Sequence, residues 1–103
     1  MATEQQIKDW KEKYGFVYRA NIDGTDYIFK TLTREDYMAI SAKQMTVGAA
    51  FDNELEVVTT CLLEPEVNDN LINSLEKKGG LVTVLSERIM LRSGFQQIEE
   101  EEL

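Results

Sequence analysis

The last third of the chain, Leu55 to Phe95, most constrains the fold, because it contains two apolar segments with clear ends. The first, Leu55–Leu63, has apolar residues at helical spacing and is followed by Pro65, which cannot continue a helix. The second, Leu81–Arg92, is more apolar and is followed by Gly94, where a left-handed C-terminal residue is usual. We therefore predict two helices here, with the preceding residues packing on them as a small appendage.

Each of these segments leaves one alternative open. The run Val57–Thr60 is rich in β-branched residues, so a strand is the alternative to the first helix. In the second segment, Leu81, Leu85 and Ile89 belong either to the core or to a surface that binds a partner. Phe95 follows the glycine and is placed to fold back on the helix in a Schellman closure.

The first residues predict a short helix over Thr3–Lys13. Thr3 is a suitable cap, Gln6 lies three residues on as a capping box requires, and Gly15 suits the end. One narrow apolar stripe runs along this helix, formed by Ile7, Trp10 and Tyr14. A single stripe needs a docking surface, which is either the core of the domain or a partner.

Residues 16–32 predict a β-hairpin, because apolar and polar residues alternate on both sides of Asp23 and Gly24. A lone hairpin is marginal in water. We therefore expect it to pack on helices, to pair with a third strand, or to pair with another copy of the chain. Its aromatic residues are expected in the core rather than in a platform for nucleic-acid bases.

The middle of the chain predicts further short helices. Thr33 caps a helix that fades near Gln44. Residues 45–50 are expected to be a flexible connection, with a buried turn as the alternative, because the run contains small apolar residues. Asp52 or Asn53 caps the helix that contains Leu55. Asn68 or Asp69 caps a short helix after Pro65, and Gly79 and Gly80 are expected to break it.

The predicted fold class is α+β and mostly α. An N-terminal helix and a hairpin precede a bundle of about four short helices. We expect one domain over residues 1–95, divided into the hairpin at 16–32 and a helical part at 33–95. Residues 96–103 contain four consecutive glutamates and predict a flexible acidic tail.

Composition excludes several classes of function. With 11 Lys+Arg against 19 Asp+Glu and a net charge of −8, the chain lacks the basic surface that nucleic acids and anionic membranes attract. The chain has no histidine, and its carboxylates follow no metal-ligand pattern. We therefore predict no enzyme activity, no catalytic or metal site, and no cofactor. The one cysteine, Cys61, is expected to be a small buried side chain.

No stretch approaches the roughly 20 apolar residues that span a bilayer. Residues 1–6 have neither the basic region nor the apolar region of a signal peptide. From these two features we expect the protein to stay in the cytoplasm of the cell that makes it.

The order of three segments adds a family resemblance. Tyr27–Tyr37 runs Tyr-Ile-Phe-Lys-Thr-Leu-Thr-Arg-Glu-Asp-Tyr, Val57–Pro65 closes a helix with Leu-Leu-Glu-Pro, and Gly79–Met90 leads to Ser-Gly-Phe at 93–95. This arrangement, over roughly residues 16–95, resembles the small tail assembly chaperones of long-tailed bacteriophages. The first helix and the glutamate tail lie outside the resemblance.

The resemblance implies a non-enzymatic role in the host cell cytoplasm. Such proteins bind the long helical tape measure protein, keep it soluble, and help to recruit tail tube subunits. Apolar stripes on an acidic protein suit that role, because they can cover apolar surface on another helix. The predicted partner-binding residues are Ile7, Trp10, Tyr14, Leu81, Leu85, Ile89 and Phe95.

Two other functions stay open. The protein is alternatively a structural component of the tail or virion, or an acidic inhibitor of a host enzyme. Inhibition by mimicry of DNA is weakened because acidic residues before the tail are interspersed with lysines, as over residues 8–13. An unpaired hairpin edge would favour a homo-oligomer.

Overall fold

The computed structural model describes residues 2–95 and 100–103, apart from the side chain of Ala49. In this part of the chain, five helices surround a three-stranded sheet, so the fold is α+β and mostly helical, as predicted. The elements are α1 (Glu4–Tyr14), β1 (Val17–Ile22), β2 (Thr25–Lys30), α2 (Arg34–Val47), a 3-10 turn (Gly48–Ala50), α3 (Asn53–Cys61), β3 (Leu62–Glu64), α4 (Asp69–Lys77) and α5 (Gly79–Arg92).

The ends of α1 confirm the local signals in the sequence. The Gln6 amide N–H donates to the Thr3 hydroxyl at 3.1 Å, and the Thr3 N–H donates to the Gln6 side-chain oxygen at 2.9 Å. This reciprocal capping box satisfies two donors that a helix otherwise leaves unpaired. The helix stops at Gly15, whose φ of 85° favours glycine.

β1 and β2 form the predicted hairpin. Asp23 and Gly24 both have positive φ, 52° and 81°, which is the geometry of a type I′ turn. The antiparallel register is continuous from Ile22 opposite Thr25 to Val17 opposite Lys30. The turn residues therefore set the register of the whole hairpin, because a two-residue loop leaves no freedom to slip.

The predicted helix over Leu55–Leu63 is wrong in its last two residues. α3 ends at Cys61, and Leu62–Glu64 forms β3, which pairs antiparallel with β2. The pairing satisfies backbone groups on the second edge of β2, where Ile28 lies opposite Glu64. The hairpin thus takes a third strand, one of its three expected partners, and the β-branched run Val57–Thr60 is helical.

The core lies between the sheet and two helices, α3 and α5, which pack along each other. Val58, Cys61, Leu85 and Ile89 are 0% exposed. The strand β2 supplies the main N-terminal contribution to the cluster. The buried apolar side chains of this cluster are Tyr27, Phe29, Leu32, Ile40, Val57, Val58, Cys61, Leu62, Leu75, Val82, Leu85 and Ile89.

The predicted helix after Pro65 ends before Gly79, as expected, but Gly79 and Gly80 do not form the break. They are the first two residues of α5, and only Lys78, with φ −125° and ψ 71°, separates α5 from α4. Glycine weakens a helix by about 1 kcal/mol relative to alanine. Burial of Leu75 and Val82 on adjoining turns of the two helices outweighs that weakness.

Residues 45–50 are more ordered than the sequence predicts. α2 continues past Gln44 to Val47, and Gly48, with φ 79°, donates its N–H to the Gln44 carbonyl oxygen before a 3-10 turn. The prediction of a flexible connection is therefore wrong. The apolar side chains of residues 45–50 do not form a core-facing stripe at helical spacing, so the periodicity of the sequence did not indicate that the helix continues.

The C-terminus of α5 forms the predicted Schellman closure. The Phe95 N–H donates to the Met90 carbonyl oxygen at 2.9 Å, and the Gly94 N–H donates to the Leu91 carbonyl oxygen at 3.2 Å. Gly94 has a φ of 93°, which favours glycine. Beyond it, residues 96–99 of the predicted flexible tail lie outside the described residues. Glu100–Leu103 are exposed and belong to no helix or strand.

Candidate binding surfaces

The predicted stripe on α1 lies half-buried against the sheet. Ile7, Trp10 and Tyr14 are each of intermediate exposure, and α1 buries no residue completely. Ile7 lines a hollow with Val17 and Ile28, on the face of the sheet opposite the core. The docking surface that this helix requires is thus supplied at least in part by the chain itself.

The predicted residues on α5 divide between core and periphery. Leu85 and Ile89 are 0% exposed, and Leu81 is half-buried against the same cluster. The buried pair therefore belongs to the core alternative, because a partner cannot contact a side chain that has no accessible surface. The outer face of α5 instead presents Val84 and Leu91, which are 40% and 42% exposed.

Phe95 is the predicted partner-binding residue with the most accessible ring. It is 38% exposed and stacks on Tyr37 of α2, with 4.8 Å between ring centroids. The stack joins the end of α5 to the first turns of α2. A second link is made by Ser93, whose hydroxyl donates to the Ile89 carbonyl oxygen at 2.6 Å and accepts from the Leu32 N–H at 2.8 Å.

An exposed apolar stripe lies on α2, and sequence reasoning assigned it no role. Of the 14 residues in this helix, only Ile40 is buried. Met38, Ala42 and Met45 lie at i, i+4 and i+7 and are all exposed, the two methionines by 55% and 87%. The helical spacing was visible in the sequence, but spacing alone cannot tell a stripe that faces the core from one that faces solvent.

The first turn of α2 is held by hydrogen bonds and an ion pair that involve Asp36. The Thr33 N–H and the Lys30 ammonium both donate to one Asp36 carboxylate oxygen at 3.4 Å, and the Asp36 N–H donates to the Thr33 hydroxyl at 3.1 Å. Partial burial alone would raise the pKa of Asp36, but the contacts with Thr33 and Lys30 outweigh it, so this pKa lies below its usual value. This network orients the N-terminus of the helix that carries the exposed stripe.

Cys61 has no sign of chemical reactivity. Burial is the main reason that its pKa rises to about 11, and its side chain is 0% exposed. A thiol is nucleophilic only as the thiolate, which this environment suppresses at neutral pH. The prediction that Cys61 is a small buried side chain is confirmed.

The described residues contain no group of His, Cys, Asp or Glu side chains placed to hold a metal ion. They also contain no buried side-chain nitrogen or oxygen atom without a hydrogen-bond partner. Within residues 2–95 and 100–103, no helix has the length and apolarity needed to cross a membrane.

Comparison with known proteins gives a fold relationship. No protein-family model and no curated protein sequence matches the chain. Among solved structures, the fold is similar to that of the uncharacterised protein rbstp2171 from Bacillus stearothermophilus, with a TM-score of 0.64 and 20% sequence identity. The match covers 93% of this chain and 99% of that chain. At this identity the likeness shows that the two chains share a fold.

Proposed function

We propose that the protein is a non-enzymatic tail assembly chaperone of a long-tailed bacteriophage. In this role it binds the tape measure protein in the host cytoplasm, keeps that protein soluble, and helps to recruit tail tube subunits. The resemblance over residues 16–95 supports the family. The observation that carries a binding role is the apolar stripe on α2, which no other described element covers.

The stripe has the chemistry required to bind an apolar helix. Met38 and Met45 have unbranched, polarizable side chains that adapt to irregular partner surfaces, and Ala42 between them lets a partner helix approach closely. The stacked rings of Tyr37 and Phe95 lie where α2 meets the end of α5. A helical segment of the tape measure protein that docks on α2 would cover apolar surface on both molecules.

Charge supports the same proposal. The chain carries a net charge of −8, so a complex in which the apolar stripe is covered would present an acidic exterior. Such an exterior opposes aggregation of a long apolar partner by mutual repulsion between complexes. The acidic residues Glu35 and Glu54 near the ends of α2 and α3 are exposed and available for this purpose.

The second candidate function is a structural component of the tail. The observation that favours it is the outer edge of β1, which pairs with no other strand among the described residues and would allow the sheet to continue into a neighbouring subunit. A chaperone is absent from the finished particle, whereas a structural component is retained. Mass spectrometry of purified particles therefore separates the two candidates.

The proposal is tested by coexpression of the full chain with the tape measure protein encoded in the same genome. The wild type is expected to bring the tape measure protein into the soluble fraction as a complex. The double variant Met38→Ser, Met45→Ser is expected to recover about tenfold less, because it removes the apolar contacts of the stripe. Leu91→Ser is the matched control, since it removes an exposed apolar side chain from α5.

Thermal unfolding of each variant separates binding from folding. Because both methionines are exposed, the double variant is expected to melt within a few degrees of the wild type. Equal recovery of the tape measure protein by the double variant and the wild type would contradict the role of α2. Failure of the wild type to recover it at all would contradict the chaperone function.

A further inference from the structure

A second candidate surface, distinct from the apolar stripe of α2, begins at the outer edge of β1. The sheet order is β1-β2-β3, so β1 is an edge strand of the described sheet. In a hairpin with a two-residue turn, the pair beside the turn and every second pair after it exchange both backbone hydrogen bonds. The backbone groups of Val17, Arg19 and Asn21 therefore point away from β2, toward the free edge.

The edge of β2 that faces β3 shows the same alternation of inward and outward backbone groups. Ile28, which lies opposite Arg19, turns its backbone groups outward and pairs with Glu64 of β3. Of the features that usually protect such edges, β1 has one charged side chain, Arg19, but it contains no proline and no lysine, and its register with β2 has no bulge. It is thus a template for one more extended chain.

A groove of about 350 Å³ runs between this edge and α5. On the α5 side, Val84, Arg88 and Arg92 lie at i, i+4 and i+8 and form one exposed ridge. On the sheet side, Arg19 and Asn21 contribute their backbone, because their side chains lie on the opposite face of the sheet with those of Ile28 and Asp26. The groove therefore has a backbone template along one wall and a basic helix face along the other.

Two arginines of α5 supply the charge of this groove. Within the described residues, Arg88 and Arg92 form no ion pair with a carboxylate. The Arg92 guanidinium carbon lies 5.0 Å from the centroid of the Tyr18 ring, a cation–π contact that holds the charge over β1. In a chain of net charge −8, this is a local concentration of positive charge that no carboxylate of the described residues pairs with.

The end of the groove near the hairpin turn lies close to carboxylates, unlike the end near Arg92. Asp26 accepts a hydrogen bond from the Asn21 side chain at 2.8 Å, and Asp23 lies 3.5 Å from the Lys78 ammonium. The carboxylates at the turn are therefore engaged, and the most positive part of the groove is the end near Tyr18 and Arg92.

We infer that this groove binds an extended acidic segment of a partner protein as a fourth strand of the sheet. The backbone of the segment pairs with the outward groups of Val17, Arg19 and Asn21. Because alternate side chains of a strand point to the same face, carboxylates at every second position reach Arg88 and Arg92. Strand addition supplies affinity, and the arginines select acidic sequences.

Two other occupants fit the groove less well. Pairing of β1 with β1 of a second copy would bring the arginines of both subunits to one interface, where like charges repel. A polynucleotide offers phosphates to the arginines but no partner for the strand edge, and the net charge of −8 opposes its approach. An extended carboxylate-bearing peptide satisfies both walls. The inference is independent of helix binding by α2.

The probe for a test is a peptide of roughly nine residues in which glutamate alternates with threonine, with both ends blocked. It is titrated into the 15N-labelled full chain and followed by NMR. The expected result is shifts of the amide signals of Val17, Arg19 and Asn21 and of the α5 ridge. The double variant Arg88→Glu, Arg92→Glu is expected to bind at least about tenfold more weakly.

Two controls separate the contributions of charge and backbone. Arg34→Glu reverses an exposed arginine on α2 outside the groove and is expected to leave binding unchanged. A peptide of the same sequence, N-methylated on the residues that face β1, keeps the charge but loses the strand hydrogen bonds. It is expected to bind at least about tenfold more weakly than the unmethylated peptide. Folding of each variant is verified by the dispersion of its amide spectrum.

Several outcomes would overturn the inference. If the methylated and unmethylated peptides bound equally well, binding would be due to nonspecific charge attraction and not to strand pairing. Tighter binding of an oligothymidylate of equal charge would assign the groove to nucleic acid. A dimer in sedimentation whose β1 amides do not respond to the peptide would assign the edge to a second copy. The chain's own tail is a further possible occupant. The groove would be assigned to the tail if the wild type did not bind the peptide and if, without peptide, the amide signals of Glu100–Glu102 differed between the wild type and the variant Arg88→Glu, Arg92→Glu.

Discussion

Two helices of equal length, α2 and α5, meet opposite environments in this protein. Each has 14 residues, yet α5 buries Val82, Leu85, Ser86 and Ile89, whereas α2 buries only Ile40. Both carry apolar residues at helical spacing. The difference teaches that an apolar stripe indicates a helix but does not say whether the stripe meets the core of the same chain.

The comparison assigns the two helices different tasks. The core-facing side chains of α5 are buried, so these residues determine the stability of the fold. The apolar stripe of α2 is left exposed, so its residues contribute little to stability and are available to a partner. Substitutions in the two helices should therefore separate loss of folding from loss of binding.

The largest effect is expected for Leu85→Ala in α5. Leu85 is 0% exposed, and removal of its side chain leaves a cavity between the sheet and the helices. We expect the free energy of unfolding to fall by about 2–5 kcal/mol, as is typical for a buried leucine. Urea denaturation followed by circular dichroism measures this change.

The matched change in α2 is Met45→Gln, at a position 87% exposed. Because the side chain already faces water, its free energy of unfolding should change by less than about 0.5 kcal/mol. A loss comparable to that of Leu85→Ala would break the comparison, since it would mean that the stripe of α2 packs within the chain.

An effect smaller than that of Leu85→Ala, but larger than that of Met45→Gln, is expected for Ser93→Ala, at the point where α5 reaches the segment before α2. The Ser93 hydroxyl accepts a hydrogen bond from the Leu32 N–H at 2.8 Å, across 61 positions in sequence. Without it, a partly buried N–H is left unpaired, and the free energy of unfolding should fall by about 1–3 kcal/mol. Thermal unfolding measures this loss, with the exposed Ser74→Ala on α4 as the control. Equal melting of both variants would show that the bond contributes nothing.

A loss smaller than that of Ser93→Ala, but larger than that of Met45→Gln, is expected for Asp36→Ala in the first turn of α2. The carboxylate contacts Thr33 and Lys30, and its pKa is lowered in the folded protein. Loss of these contacts should destabilise the protein by about 1 kcal/mol at neutral pH, as for other helix-capping residues. Chemical denaturation of variant and wild type gives the difference.

The pH dependence of this difference has a definite sign. A lowered folded pKa means that the stabilisation is full above the usual value of 3.8 and is lost as pH falls below it, through the folded pKa. The difference between Asp36→Ala and the wild type should therefore shrink in acid. The exposed neighbour Glu35→Gln is the control, and a difference that stays constant from pH 7 to acid would contradict the charge contribution.

Local signals predicted a large part of the fold. The caps Thr3 and Thr33, the turn at Asp23 and Gly24, and the closure at Gly94 all depend on residues within a few positions of each other. Such interactions form wherever the chain places those residues together, because they satisfy the backbone groups at element ends locally.

The wrong predictions concern segments whose conformation depends on residues that are distant in the sequence. Leu62–Glu64 becomes a strand because β2, more than 30 positions earlier, offers an unpaired edge, and Gly79 and Gly80 stay helical because flanking residues are buried. The candidate surfaces were missed for the same reason. Neither the exposure of Met45 nor the approach of Arg92 to Tyr18 is visible in sequence spacing.

The sequence by itself determined the α+β class, the hairpin register, the positions of most helix ends and the acidic character of the molecule. Those properties follow from short-range sterics, capping and charge, which act within one or two turns of chain. Only the tertiary structure decided which apolar stripe is buried, which strand edge stays free, and which arginines share a groove. These depend on the competition of all apolar faces for one small core, in which α5 and α3 bury theirs and α2 does not.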